Sequence, residues 1–191
     1  MKNEVPINRD TWNHFIEYVK AFATSKQAGG KAKWLSALLI GLLFAINGLN
    51  VLNSYVGRDF MTAIENRNRD EFLFQALLYV GVFGASTLLV GLYRFTEESL
   101  ALLWRKWATQ RAIVTYANRR VYFRLKMAGE IENPDQRIAE DIRAFTVTTI
   151  AFVLMLLNAS ITVIAFTGVL WSISPLLFVV AVLYAAAGSF V

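Results

Sequence analysis

With 191 residues, of which 56% are hydrophobic and only 17% charged, the chain is too apolar for an ordinary soluble domain of its size. A net charge of +5 invites a nucleic-acid reading, but residues 144 to 191 carry no charge at all, which argues against that partner. No cysteine is present, so neither a disulfide framework nor a thiolate metal site can form, and the single histidine, His14, reads as a polar surface residue.

Residues 1–30 read as a polar cytosolic arm without the apolar core of a signal peptide. Within it, Trp12, Phe15, Tyr18, Val19 and Phe22 recur at helical spacing. They predict a short amphipathic elbow helix, either lying on the membrane or packed on other protein. Ala28-Gly29-Gly30 supplies the bend into the first membrane segment.

Residues 31–191 read as an all-α, polytopic membrane domain. Apolar spans are predicted at about 34–55, 72–93 and 146–170, each long enough for a hydrocarbon core of about 30 Å. A link, Trp171-Ser172-Ile173-Ser174-Pro175, then turns the chain into a fourth span that is still apolar at Val191. Trp34, Tyr55, Tyr93 and Trp171 stand at span ends, where interfacial aromatics belong. Lys and Arg number six in residues 1–33, three in 56–71 and ten in 94–145. The positive-inside rule therefore places the N-terminus and the 94–145 segment in the cytoplasm, with 56–71 and 171–175 outside. No Asp, Glu, Lys or Arg falls within these span boundaries.

Residues 94–127 contain no Gly or Pro, so the second span continues as a helix about 50 Å beyond the membrane. Leu100, Leu103, Trp104, Trp107 and Ile113 give it a partly apolar side, and Met127-Ala128-Gly129 ends it. A strongly specified helix start follows. Asn133 is an N-cap, Pro134 occupies the first helical position, Asp135 favours the positive end of the helix dipole, and Gln136 completes a capping-box variant. Arg137 with Asp141 and Glu140 with Arg143 stand at pairing distances along the helix, while Ile138, Ile142 and Phe145 form an apolar stripe. Asp135, Glu140 and Asp141 are explained by capping and pairing rather than by a metal.

The run Asn133-Pro134-Asp135-Gln136-Arg137-Ile138, with Asp141 and Ile142, resembles the EAA-like motif in membrane domains of ABC transporters. The relevant branch contains the peroxisomal fatty-acyl half-transporters (subfamily D) and bacterial permeases for cobalamin, bleomycin and antimicrobial peptides. Trp104-Arg105-x-Trp107-x-Thr109 and Tyr122-x-Arg124-Leu125 look like the same family, whereas Ala108 and Phe123 depart from its usual Leu and Tyr. The resemblance implies an exporter-type transmembrane domain whose 94–145 intracellular loop docks on a nucleotide-binding domain through Asn133, Pro134, Asp135, Gln136, Arg137 and Asp141. It also implies ATP and Mg on that other domain, further spans beyond Val191, a homodimer of half-transporters and an inner-membrane location. On this reading the chain is an N-terminal fragment.

The chain shows no Gly-x-x-x-x-Gly-Lys-Ser/Thr phosphate loop and no catalytic set, so no enzyme activity and no cofactor are assigned to it. Asn47, Asn50 and Asn53 recur every third residue in the first span, either lining a substrate path or bonding between helices. Gln75, Asn158 and Thr162 are lesser cavity candidates, and Gly81 with Ala85 reads as close helix packing. The leading expectation is an ATP-driven transporter subunit for an amphipathic peptide, cobalamin-like or fatty-acyl substrate. The alternatives are a proton-driven permease of the same fold and a non-transporting membrane scaffold.

Overall fold

Long runs of helix-forming and aliphatic residues with few breakers leave this chain little choice but helix, and breaker-rich junctions divide it. The computed structural model describes residues 9–118 and 134–189, and among them there is no strand. The helices are α1 (Arg9–Ala23), α2 (Gly29–Glu65), α3 (Arg69–Asn118), α4 (Pro134–Ile173) and α5 (Pro175–Ser189). By length and composition α2, α3 from Arg69 to Ala117 and α4 from Ala139 to Ile173 can each cross a membrane, whereas α5 is a shorter apolar helix. At 1.5 Å per residue α3 alone is about 75 Å long, more than twice a hydrocarbon core. It is helical through Asn118; residues 119–133, which hold Tyr122, Arg124, Leu125, the Met127-Ala128-Gly129 stop and Asn133, lie outside the described residues.

Three junctions differ from expectation. The predicted outer loop 56–71 contracts to Asn66, Arg67 and Asn68, because 56–65 holds no proline and its one glycine, Gly57, is carried within α2. The turn is fixed locally. The Arg67 N–H bonds to the Ile64 carbonyl (3.0 Å) and the Asn68 N–H to the Ala63 carbonyl (3.1 Å), with Arg67 at a φ of 51°. This is a Schellman C-cap with Arg where Gly is usual. Asn68 then caps α3: its Oδ1 accepts the Glu71 N–H, and its Nδ2 donates to Glu71 Oε2, both at 3.3 Å. The expected link 171–175 contracts to Ser174 alone. Pro175 has no N–H to give, so it opens α5 where that loss is harmless.

The bend before α2 lies at Thr24–Ala28 rather than at Ala28–Gly30. Ser25 Oγ accepts the Ala28 N–H (3.2 Å) and its carbonyl accepts the Gly29 N–H (2.8 Å), so Ser25 starts the next helix. Gly29 is needed for a different reason. A Cβ there would stand 2.5 Å from the Ala23 carbonyl oxygen, whereas one at Gly30 would meet nothing within 4 Å.

The chain divides into two compact units, one of Met1–Leu39 with Thr96–Ala151, the other of Ile40–Phe95 with Phe152–Val191. In the first, Phe22, Ala28, Ala32, Leu39, Leu100, Ala101, Trp104, Ala108, Thr146 and Ile150 are buried. In the second, Leu42, Leu43, Asn47, Val56, Ala63, Val82 and Leu154 are buried. Most large apolar residues of α2 to α5 remain exposed, Leu77, Leu88, Ile164 and Tyr184 among them. That is an inverted surface for water and a natural one for lipid.

Candidate functional site

The predicted docking segment opens α4. Asn133 falls outside the described residues, as do the side chains of Pro134, Asp135, Arg137 and Ile138. The backbone from Pro134 onward is helical, as the cap predicts. The Gln136 Nε2 donates to Glu140 Oε1 at 3.2 Å, so an i,i+4 amide–carboxylate bond stands where Glu140 was expected to pair with Arg143. Gln136, Glu140, Asp141 and Arg143 are all exposed. One helix carries this polar surface and, from Phe145 onward, an uncharged, mainly apolar run to Ile173. The change of character is marked by Thr146, which is fully buried and returns its hydroxyl to the Ile142 carbonyl (2.8 Å).

Above that segment, in the same unit, the elbow helix is clamped by rings. Phe22 stacks on Trp104 (centroids 5.6 Å apart, planes at 16°) and also meets Trp107 at 5.5 Å. Tyr18 meets Trp107 edge-on at 5.2 Å, and Phe145 meets Trp104 edge-on at 5.7 Å and Phe15 at 6.1 Å. The apolar face of α1 is therefore packed on α3 and α4. Trp12, 59% exposed, stacks on Phe15. Each such ring contact is worth about 0.5–1.5 kcal/mol beyond its burial. Burial raises the Tyr18 pKa above its ordinary value, and the positive charge of Arg111 opposes that shift. The Trp104 indole N–H is buried and finds no acceptor among the described residues.

The asparagines of the first span do not share one environment. Asn47 is 2% exposed. Its Nδ2 donates to the Leu43 carbonyl (2.9 Å) and to Asn158 Oδ1 (3.1 Å), and its Oδ1 accepts from the Thr162 hydroxyl (2.7 Å). That node joins α2 to α4 with every strong valence of the carboxamide but one occupied. Asn50 is exposed and Asn53 half-buried. Gln75 is half-buried on α3. Sequence reasoning singled out Asn47, Asn158 and Thr162 separately; their mutual bonding has no local signal, since the partners lie 111 and 115 positions apart. The Asn68–Glu71 cap was missed although its Asn-x-x-Glu spacing is legible.

Comparison with known proteins accords with this architecture. Residues 25–191 match the family described as ABC transporter transmembrane region 2. The chain is 31% identical over 178 residues, 93% of its length, to the chloroplastic ABC transporter D family member 2 of Arabidopsis thaliana. It is 36% identical over 166 residues, 83% of its length, to an ABC transporter ATP-binding protein of Synechocystis sp.. It is 27% identical over 132 residues, 69% of its length, to the lysosomal cobalamin transporter of Mus musculus. These alignments span 25%, 25% and 22% of the respective relatives, so the chain covers about a quarter of their length. Three helices long and apolar enough to cross a membrane fit that match, and the chain belongs to the ABC transporter transmembrane region 2 family.

Proposed function

We propose that this chain is part of the transmembrane subunit of an ATP-driven transporter, seated in the inner membrane with its N-terminus cytoplasmic. Its cargo is an amphipathic compound: a peptide, a cobalamin-like molecule or a fatty-acyl derivative. The observation that supports this most is the continuity of α4. A polar segment beginning at Pro134 and an apolar span ending at Ile173 share one unbroken helix of 40 residues. A push at Pro134, Gln136 or Asp141 thus reaches the membrane without crossing a flexible joint. The names of the Synechocystis relative, an ATP-binding protein, and of the mouse relative, a cobalamin transporter, agree with the reading.

On this reading ATP and Mg sit on a nucleotide-binding domain, the partner on which Asn133, Pro134, Asp135, Gln136, Arg137 and Asp141 dock; the sequence itself holds no Gly-x-x-x-x-Gly-Lys-Ser/Thr. The outward apolar faces suit lipid and a second copy, giving a homodimer. Asn50 and Asn53 are the path-lining candidates, and Asn47 holds α2 and α4 together beside them.

The test is Asp141→Ala and Pro134→Gly in the full-length protein, reconstituted in proteoliposomes. Substrate-stimulated ATPase activity is expected to drop about tenfold, the size of a typical coupling free energy, with membrane insertion unchanged. Unaltered stimulation in both variants would remove the docking role. Uptake that follows an imposed proton gradient and ignores ATP would replace this reading with the proton-driven permease.

A further inference from the structure

A groove of about 880 Å³ opens in the first unit, between the α1–α2 bend and the C-terminal half of α3. Lys31 stands on the α2 side; Lys106 and Arg111 stand on the α3 side, with Leu103, Trp107 and Val114 forming an apolar floor between them. The α3 lining residues 103, 106, 107, 110, 111 and 114 have the spacing of one helix face, and Ile113 and Thr115 extend it at either edge. Among the described residues, no carboxylate lines it. The Arg111 guanidinium stands over the Trp107 ring, 5.4 Å from its centroid.

The chemistry of the groove is that of an amphipathic anion, and its level in the molecule narrows the choice. Trp107 touches Tyr18 and Phe22, and its neighbour Trp104 touches Phe145. Phe145 lies two residues past Arg143, the last charge before the uncharged run begins. Lys31 precedes Trp34, 69% exposed and first in the apolar run of α2, by less than one helical turn. On α2, and through the Trp104–Phe145 contact on α4, the groove thus sits close to where charged sequence gives way to lipid-compatible sequence, while on α3 it lies on the charged extension that follows the apolar span. Basic residues at that level, beside an aromatic and an aliphatic wall, match a phosphate headgroup with the start of its acyl chain.

We propose that this groove is a binding site for an anionic phospholipid headgroup, with Lys31, Lys106 and Arg111 holding the phosphate and Trp107 with Val114 covering the glycerol and upper acyl region. A lipid seated there bridges the elbow to α3, so its retention stiffens the entry of the chain into the membrane. The site is independent of the docking surface on α4 and of any nucleotide.

The experiment uses the full-length protein purified from detergent micelles doped with equal parts phosphatidylglycerol and phosphatidylcholine, with bound lipid counted by native mass spectrometry. The wild type is expected to retain phosphatidylglycerol over phosphatidylcholine, and the variant Lys31→Ala/Lys106→Ala/Arg111→Ala to lose that retention by about tenfold or more. Val114→Trp, which fills the groove and leaves the charges in place, is expected to lose it as well. Circular dichroism and gel filtration identify any variant that has unfolded. Equal retention of both lipids, or unchanged phosphatidylglycerol retention in both folded variants, overturns the proposal. Displacement of the lipid by inorganic phosphate at low millimolar concentration overturns it in favour of a free anion. Unchanged lipid binding combined with lost association of the nucleotide-binding domain overturns it in favour of a protein partner. None of these results depends on transport or ATP hydrolysis.

Discussion

Trp104 shows how much one side chain decides here. It is 4% exposed, stacked on Phe22 and crossed by Phe145, yet its indole N–H has no acceptor among the described residues. Its ring area stabilises the clamp, while its buried donor works against it, typically by about 1–3 kcal/mol. Trp104→Ala should therefore lose about 3–5 kcal/mol, whereas Trp104→Phe, which keeps a ring and removes the donor, should lose no more than about 1 kcal/mol. Thermal unfolding in detergent, followed by circular dichroism, separates the two; equal losses would mean the N–H has a partner. The residue type and spacing of Trp104 and Trp107 were visible in the chain. That Phe22 covers the first and Tyr18 the second was not, because more than 80 positions separate each pair.

At the scale of elements, helix identity was legible and helix ends were legible only where a cap was recognised. Pro134 and Pro175 open α4 and α5, since a residue without an N–H is harmless only in a first turn. The segment 56–65 continues α2 because it holds no Pro and a single Gly, Gly57, which a long helix tolerates at a cost of about 1 kcal/mol. Arg58 and Asp59 even pair on that continuation, at 2.9 Å. The two glycines of the elbow looked equivalent in sequence and are not in space. Gly29→Ala pushes a Cβ to 2.5 Å from the Ala23 carbonyl oxygen, while Gly30→Ala enters open space. The first is expected to lower stability by about 1–3 kcal/mol through overpacking, the second to be neutral or raise it by up to about 1 kcal/mol through helix propensity. Melting temperatures of the paired variants check this, and a neutral Gly29→Ala would show that the bend can relax.

At the scale of the whole molecule, the Asn47 node is a clear polar tie between distant parts of the chain. Replacing Asn47 by Leu strands the Asn158 carbonyl and the Thr162 hydroxyl of α4, for an expected loss of about 1–2 kcal/mol. A double-mutant cycle with Thr162→Val should recover part of it, because the second change removes one of the stranded groups. Strict additivity in thermal unfolding would mean that the bond carries no net energy. Composition and the span pattern by themselves determined that the chain is a helical membrane protein, since apolar runs of this length have no other stable form in lipid. The Asn133–Asp141 wording carried the family, which the match over residues 25–191 bears out. Only the tertiary structure decided that the elbow packs on α3 and α4, that Asn47 binds Asn158 and Thr162, and that Lys31, Lys106 and Arg111 line one groove. The reason is physical: helix formation is governed by neighbours within a few residues, whereas these arrangements depend on which faces of separate helices meet, and no local pattern in the chain records that choice.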